Sequence, residues 1–290
     1  MRFALFGNTH DTRKHVHAEQ LLRILAYYGD EVYATPDYYR FLCSVQDVCI
    51  HPIGVINDFK AQRIDFAISL GGDGTFLKAA HEISDSGIPI IGINTGRLGF
   101  LADVSANEME QFFEQLHEGR YTVRERSLLQ LVINGDSTHP QYALNEITVS
   151  KHDSSSMIAV RTTVNGEHMA TYMGDGLLIA TPTGSTAYSL SAGGPIIYPQ
   201  ADVFVLTAVA PHSLNVRPFV IADDKILQLT IESRNGSFLV AVDGISNSYP
   251  EQTTLTLCKA PYTTRVVKQE GSTFFNTLQK KMMWGTDPRE

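Results

Sequence analysis

A strand pattern at residues 65–70 runs into Gly71-Gly72-Asp73-Gly74-Thr75 and then a helical pattern at 75–83, and this arrangement constrains the chain more than any other feature. Glycines let backbone N–H groups approach an anion with no Cβ in the way, and the following helix aims its positive end at the same place. The stretch therefore predicts a phosphate loop. Asp73 needs a separate reason, because a carboxylate beside phosphates is repelled unless a metal intervenes or the carboxylate removes a proton. A kinase uses such a group to orient and deprotonate the attacking hydroxyl. The plain alternative is that Asp73 caps the helix while Gly74 fits a left-handed turn. Neither GxxxxGK[ST] nor the third glycine of the dinucleotide motif is present, so the scaffold differs from both.

Around this loop the first hundred residues alternate β-rich runs with helical patterns, as a parallel α/β sheet does. Residues 2–6 predict a strand, 17–28 a helix, 88–93 a buried strand and 106–117 a helical stretch. From Arg126 the pattern turns to strands, with hairpin signals at Asn165-Gly166 and at Asn235-Gly236, the latter between runs at 226–232 and 238–242. A short helix is expected within 183–190 and a last amphipathic helix at 273–283. The fold class is thus an N-terminal α/β domain, doubly wound with a mostly parallel sheet, followed by a β-rich C-terminal domain, with the active site expected between them. The expected boundaries are 1–122 and 123–269, with 270–290 packing back on the first domain.

Composition narrows the partners. The net charge is −8 and the 23 basic residues are dispersed, which works against a nucleic-acid polymer. No apolar stretch approaches the roughly 20 residues needed to cross a bilayer, and the apolar run at the N-terminus is too short for a signal sequence. Cys43, Cys49 and Cys258 form no disulfide framework, and a cytoplasmic location is expected. The 10 histidines fall into no HExxH or zinc spacing. No built-in metal site is expected.

Three further stretches carry polar groups suited to a ligand. Thr95-Gly96-Arg97-Leu98-Gly99-Phe100 follows the strand at 88–93, where Leu98 and Phe100 could line an adenine slot; core packing is the plainer reading of Phe100. Leu144-Asn145-Glu146-Ile147 sets two polar residues in an apolar strand pattern. Alternation sends Asn145 and Glu146 to opposite faces, so both reach one ligand only at a strand end or bulge, and on their own they read equally well as solvent-facing. The stretch from Gly174-Asp175-Gly176 through Thr183-Gly184-Ser185-Thr186-Ala187-Tyr188-Ser189-Leu190-Ser191 offers small hydroxyls at a loop-to-helix junction. An Asx-turn at Asp175 and helix capping by Ser185 and Thr186 are the structural alternatives.

Taken in order, Gly71-Gly72-Asp73-Gly74-Thr75, Asn94 to Phe100, Leu144-Asn145-Glu146, and Gly174-Asp175-Gly176 followed by Thr181 to Tyr188 resemble the bacterial ATP-dependent NAD kinases. The terminal Phe274-Phe275-Asn276-Thr277-Leu278 is similar too. The first motif is shared with 6-phosphofructokinase-like and lipid kinases, so the long threonine and glycine stretch selects the family. A lipid kinase would also need a basic amphipathic segment, which is missing. A non-catalytic NAD sensor would not need Asp73.

The resemblance implies transfer of the γ-phosphoryl of ATP to the 2′-hydroxyl of the adenosine ribose of NAD, with a divalent metal, Mg²⁺, arriving with ATP. It implies Asp73 as general base, with Gly72, Gly74 and Thr75 at the phosphates and Leu98 and Phe100 bounding a nucleotide pocket. It places Asn145 and Glu146 on ribose or diphosphate-side groups, and Asp175, Thr186, Ala187, Tyr188, Ser189, Leu190 and Ser191 on the rest of NAD. Lys78, one turn beyond Thr75, is positioned to reach a phosphate. Ile245 would contribute a backbone contact, in a Val242-Asp243-Gly244-Ile245 stretch where the family often carries Gln. A homo-oligomer, dimer or tetramer, is the implied assembly.

Overall fold

The computed structural model describes residues 1–9, 15–45, 50–96, 99–152 and 156–285. It divides into two compact units, Met1–Glu125 with Thr264–Glu290, and Arg126–Thr263.

The first unit is built from strands β1 (Arg2–Gly7), β2 (Glu31–Ala34), β3 (Gly54–Val55), β4 (Phe66–Gly71), β5 (Ile90–Asn94) and β6 (Val104–Ser105). Its first four helices are α1 (His15–Tyr27), α2 (Pro36–Ser44), α3 (Asp73–Ile83) and α4 (Met109–His117). The strands lie parallel in the order β3-β2-β1-β4-β5, with β6 beside β5. β4 and β5 are buried along their whole length, as strands covered on both faces must be.

Alternation divides the packing. Phe3, Leu5, Phe66, Ile68 and Ile91 join α1, α2 and α4 in one core, where Phe3 stacks on Phe66 at 5.9 Å and meets the edge of Phe113 at 6.0 Å. Gly92 faces Phe76 of α3 from the opposite side, so helices cover both faces. The sheet grows outward from β1 through β2 to β3 and then restarts on the other side of β1 with β4. Such a reversal opens a crevice beyond the carboxyl ends of the two central strands. Gly71 ends β4 there, and Asn94 of β5 pairs with it.

The second unit contains the strands β7 (Tyr121–Ile133), β8 (Asp136–Ala143), β9 (Glu146–Lys151), β10 (Ile158–Val164), β11 (Glu167–Gly174), β12 (Gly176–Ala180), β13 (Val203–Val209), β14 (Phe219–Ala222), β15 (Leu227–Ser233), β16 (Ser237–Val242), β17 (Ile245–Pro250) and β18 (Thr254–Gln269). β7 enters from the first unit and β18 leaves into it. One antiparallel set runs β11-β10-β15-β18 with β7 and β8, and a second sheet runs β14-β13-β12-β9-β16-β17. Ile147, Val149, Ile179, Phe204, Leu229, Phe238 and Leu255 pack into the core of this unit. After it the chain ends in α6 (Phe274–Met282), capped by the Thr273 hydroxyl accepting from Asn276 N at 3.1 Å.

The elements differ from the sequence expectations in instructive places. Asn165-Gly166 turns between β10 and β11 with φ of 48° and 85°, the left-handed pair that a tight hairpin needs. Asn235-Gly236 does not close a hairpin. β15 pairs with β10 and β18, whereas β16 pairs with β9 and β17, so the chain changes sheets at this turn. Leu227, Leu229 and Ile231 alternate with exposed residues along β15, and their burial in the core outweighs pairing with the next strand. The helix expected at 183–190 is a 3₁₀ turn at Gly184–Thr186 and a single turn, α5 (Tyr188–Ser191), separated by Ala187. α2 was not foreseen. Pro36 opens it at a position where a missing N–H costs nothing.

Gly92 is the tightest test of this packing. A Cβ there would lie 2.6 Å from Ala102 Cα and 2.9 Å from Leu101 O, both backbone atoms. Gly92→Ala is expected to lower stability by roughly 1–3 kcal/mol in urea unfolding.

Candidate active site

Asp73 is the first residue of α3, and Gly72 precedes the helix without a side-chain cap. The helix therefore begins two residues earlier than its apolar pattern suggests. Asp73 does not cap it, and Gly74 is not among the residues with positive φ, so the capping alternative is overturned. The carboxylate turns instead to the segment after β5. Oδ2 accepts from Phe100 N at 2.9 Å, and Oδ1 accepts from Leu101 N at 3.1 Å and Ala102 N at 3.2 Å. Gly99 is required beside it, because a side chain there would overlap the carboxylate. Asn94 steadies the same segment, its Oδ1 accepting from Gly96 N at 2.7 Å and its Nδ2 donating to Ala102 O at 3.4 Å.

Space is left open on the other side. A Cβ at Gly72 or Gly74 would meet nothing within 4 Å, and the first N–H groups of a helix have no partner within it. This is a place where an anion can lie against backbone donors. Phe100 is half-buried, its ring 6.5 Å from that of Phe274. Lys281 of α6, which the sequence did not single out, sits 4.2 Å from the Phe100 ring centre and 3.6 Å from Asp73 Oδ2. Lys78 is half exposed and lies 3.8 Å from Glu82. Leu98 and its neighbour Arg97 fall outside the described residues.

The second unit assembles a separate cluster. Asn145 immediately precedes β9 and Glu146 begins it, so they stand at a strand end, where the alternation rule ceases to separate them. Both are 9% exposed, and the solvent-facing reading is overturned. Asp243 holds them. Its left-handed backbone (φ 46°) and Gly244 form the turn between β16 and β17, and its carboxylate accepts from Leu144 N at 2.8 Å, Asn145 N at 2.8 Å and Glu146 N at 3.1 Å. In this stretch, where the family often carries Gln, it is the aspartate that organises the strand end. The available signal was the Asp-Gly pair, a frequent left-handed turn.

Thr181 ties the hydroxyl-rich loop to the same strand end. Its N–H donates to Asn145 O at 2.9 Å and its hydroxyl to Leu144 O at 2.5 Å, while the same oxygen accepts from Gly184 N at 3.1 Å. Any Cβ on Gly184 would overlap the Asn145 backbone. Ser185 and Thr186 do not cap. The Ser185 hydroxyl donates to Pro182 O at 2.7 Å and accepts from Ile197 N at 3.0 Å, and that of Thr186 reaches Thr183 O at 3.2 Å. The Ser189 side chain is buried, its hydroxyl 3.1 Å from that of Thr207. Tyr188 is 47% exposed, and Ser191 and Ile245 are exposed as well.

Asp175 is not brought to this cluster. It precedes β12, whose far end, Ala180, pairs with Glu146, which puts about 17 Å of strand between them. Its carboxylate pairs with Lys151 Nζ at 2.7 Å.

Burial, with the Asp243 charge adding to it, raises the Glu146 carboxyl to about 7 from an ordinary value of 4.5, and its Oε2 has no hydrogen-bond partner among the described residues. Between those two values the folded chain holds a proton that the unfolded chain has lost, so stability falls as pH rises through this window. The full penalty above it is on the order of 2–3 kcal/mol. Glu146→Gln is expected to remove the slope, giving a chain more stable than the parent near pH ~8 and similar near pH ~4 in urea unfolding.

Known proteins resemble both parts of the chain. Residues 11–121 match the model of the ATP-NAD kinase N-terminal domain, and residues 144–269 match that of the ATP-NAD kinase C-terminal domain. An NAD kinase of Bacteroides fragilis is 53% identical over 294 residues, covering 100% of both chains. Among solved structures, a yeast NADH kinase complexed with NADH superposes with a TM-score of 0.88 at 20% identity, over 99% of this chain and 88% of its own. An NAD kinase from Archaeoglobus fulgidus in complex with ATP gives 0.77 at 26% identity, over 98% and 99%. With both domain models matched and a relative this similar along its whole length, the chain belongs to the NAD kinase family.

Proposed function

We propose that this chain transfers the γ-phosphoryl group of ATP to the 2′-hydroxyl of the adenosine ribose of NAD, giving NADP and ADP. The observation that carries the chemistry is Asp73, a carboxylate in the first turn of α3 between two glycines with open space beside them. The hydroxyl oxygen bonds to the γ-phosphorus as the bridging P–O bond breaks, ADP leaves with that electron pair, and the proton passes to Asp73. The bonds from Phe100, Leu101 and Ala102 fix the carboxylate's direction, so little reorganisation is needed at the moment of transfer.

Gly72, Gly74 and Thr75 cradle the phosphates with Lys78 nearby, and Leu98 and Phe100 bound the nucleotide. Asn145 and Glu146 hold ribose or diphosphate-side groups. A carboxyl near 7 can donate as well as accept a hydrogen bond at neutral pH, which suits a hydroxyl partner. Thr186, Ala187, Tyr188, Leu190 and Ser191 take the rest of NAD. Ser189, with its side chain buried, joins through its backbone, and Ile245 does the same. ATP in the archaeal relative supports the donor assignment.

Among the described residues no group of three or more His, Cys, Asp or Glu could hold a metal ion. We assign the divalent ion, Mg²⁺, to the phosphates of ATP as part of the substrate. When bound there it would draw charge from the transferring group.

The assembly we propose is a homo-oligomer, dimer or tetramer. Apolar surface for it is available at Leu214, 90% exposed, and at Phe219 and Val220 on β14, an edge strand. Among the described residues no helix is long and apolar enough to cross a membrane, and the proposed location is the cytoplasm.

Asp73→Asn is expected to cut NADP formation by at least ~100-fold while ATP and NAD affinities stay within about threefold. Turnover near the parent's would rule out the general-base role. Tyr188→Ala is expected to raise the KM for NAD about tenfold with kcat nearly kept, and an unchanged KM would return Tyr188 to a packing role.

A further inference from the structure

A carboxylate has about four hydrogen-bond positions. Three of those on Asp73 are taken by the backbone N–H groups of Phe100, Leu101 and Ala102, which the fold holds in place. Among the described residues the remaining partner is the Lys281 ammonium at 3.6 Å from Oδ2. A group that is to receive a proton from a hydroxyl must offer it a free lone pair. Of the four partners, only the side chain on a flexible stem can leave without dismantling the loop.

Its surroundings favour such a move. Lys281 lies in the last turn of α6, its side chain 26% exposed, between the Asp73 carboxylate and the face of Phe100. Both neighbours hold a cation loosely. The ion pair is long and partly wetted, and a ring face attracts an ammonium without a directed bond. Open space lies beside Gly72 and Gly74, the two residues that flank Asp73 in the chain. A triphosphate entering it carries more negative charge than Asp73 and competes directly for the ammonium.

We propose that Lys281 is a phosphate-binding cation of this enzyme, and that it passes from Asp73 Oδ2 to the γ-phosphoryl oxygens of ATP when the donor binds. This rests on the reading of Asp73 as general base. The transfer has two effects. It stabilises charge on the group being transferred, and it uncovers the acceptor position that the attacking hydroxyl needs. The base thus becomes available only when a donor is present. Lys78, spaced for the same task, lies 3.8 Å from Glu82 instead.

The test uses the full chain with MgATP and NAD, comparing Lys281→Met, Lys281→Arg and, as a control on the same helix, Lys280→Met. Steady-state kinetics are joined to equilibrium binding of ATP and of adenosine, which lacks the phosphates. Lys281→Met keeps the aliphatic stem against Phe100. It is expected to lower kcat/KM for ATP by about 30-fold or more while the KM for NAD and the affinity for adenosine stay within about threefold. Lys281→Arg should recover activity to within about fivefold of the parent, since it restores the charge. Lys280→Met should match the parent. If Met disturbs α6, Lys281→Gln gives the same comparison.

Parental kcat/KM for ATP in Lys281→Met, equal losses for ATP and adenosine, or no recovery with Arg would overturn the inference. If Asp73→Asn is inactive while Lys281→Met is not, only this inference fails. Full turnover in Asp73→Asn would instead remove the general-base reading beneath it.

Discussion

Buried backbone N–H groups must find partners, and this chain meets the requirement twice with the same device. An aspartate at a turn or helix start after a strand collects three consecutive N–H groups from a distant segment. Asp73 takes those of residues 100–102, and Asp243 takes those of residues 144–146. Leaving such donors unpaired in a buried setting costs roughly 1–3 kcal/mol each, so each carboxylate fixes the course of a loop as well as its own direction. The proposed base and the proposed ribose-binding pair both owe their placement to these clamps.

The two aspartates differ in what they leave available. Asp73 has the Lys281 ammonium within 3.6 Å, whereas Asp243 sits beside a second carboxyl, whose proton affinity burial raises and the Asp243 charge raises further. One clamp therefore doubles as a reactive group. The other tunes its neighbour. Backbone N–H groups stabilise a carboxylate's charge without adding a titrating partner.

Much of this was legible in the sequence. The glycine loop at 71–75, the parallel strands at 65–70 and 88–93, and the turn at Asn165-Gly166 follow from local chemistry, because glycine geometry and apolar periodicity act over a few residues. The resemblance to the NAD kinases supplied the rest of the functional reading, and the domain models and the Bacteroides relative support the same family. Partners far along the chain were not legible. Nothing near Asp73 announces residues 100–102 or Lys281, and Asp243 lies nearly a hundred residues from the strand end it holds. Asn235-Gly236 misled for a related reason: its local signal is a hairpin, but the buried faces of β15 and β16 belong to different sheets.

The path of β18 has a consequence for how the molecule is made. Residues of the first unit, Thr264–Glu290, follow the entire second unit in the chain, and Val266 pairs beside Ile90 in the parallel sheet. A ribosome releases residues in order, so the first unit must wait for the strand that pairs with β5 at Ile90 until the second has been synthesised. The phosphate loop and its aspartate exist early in the life of the nascent chain; the lysine beside them comes last.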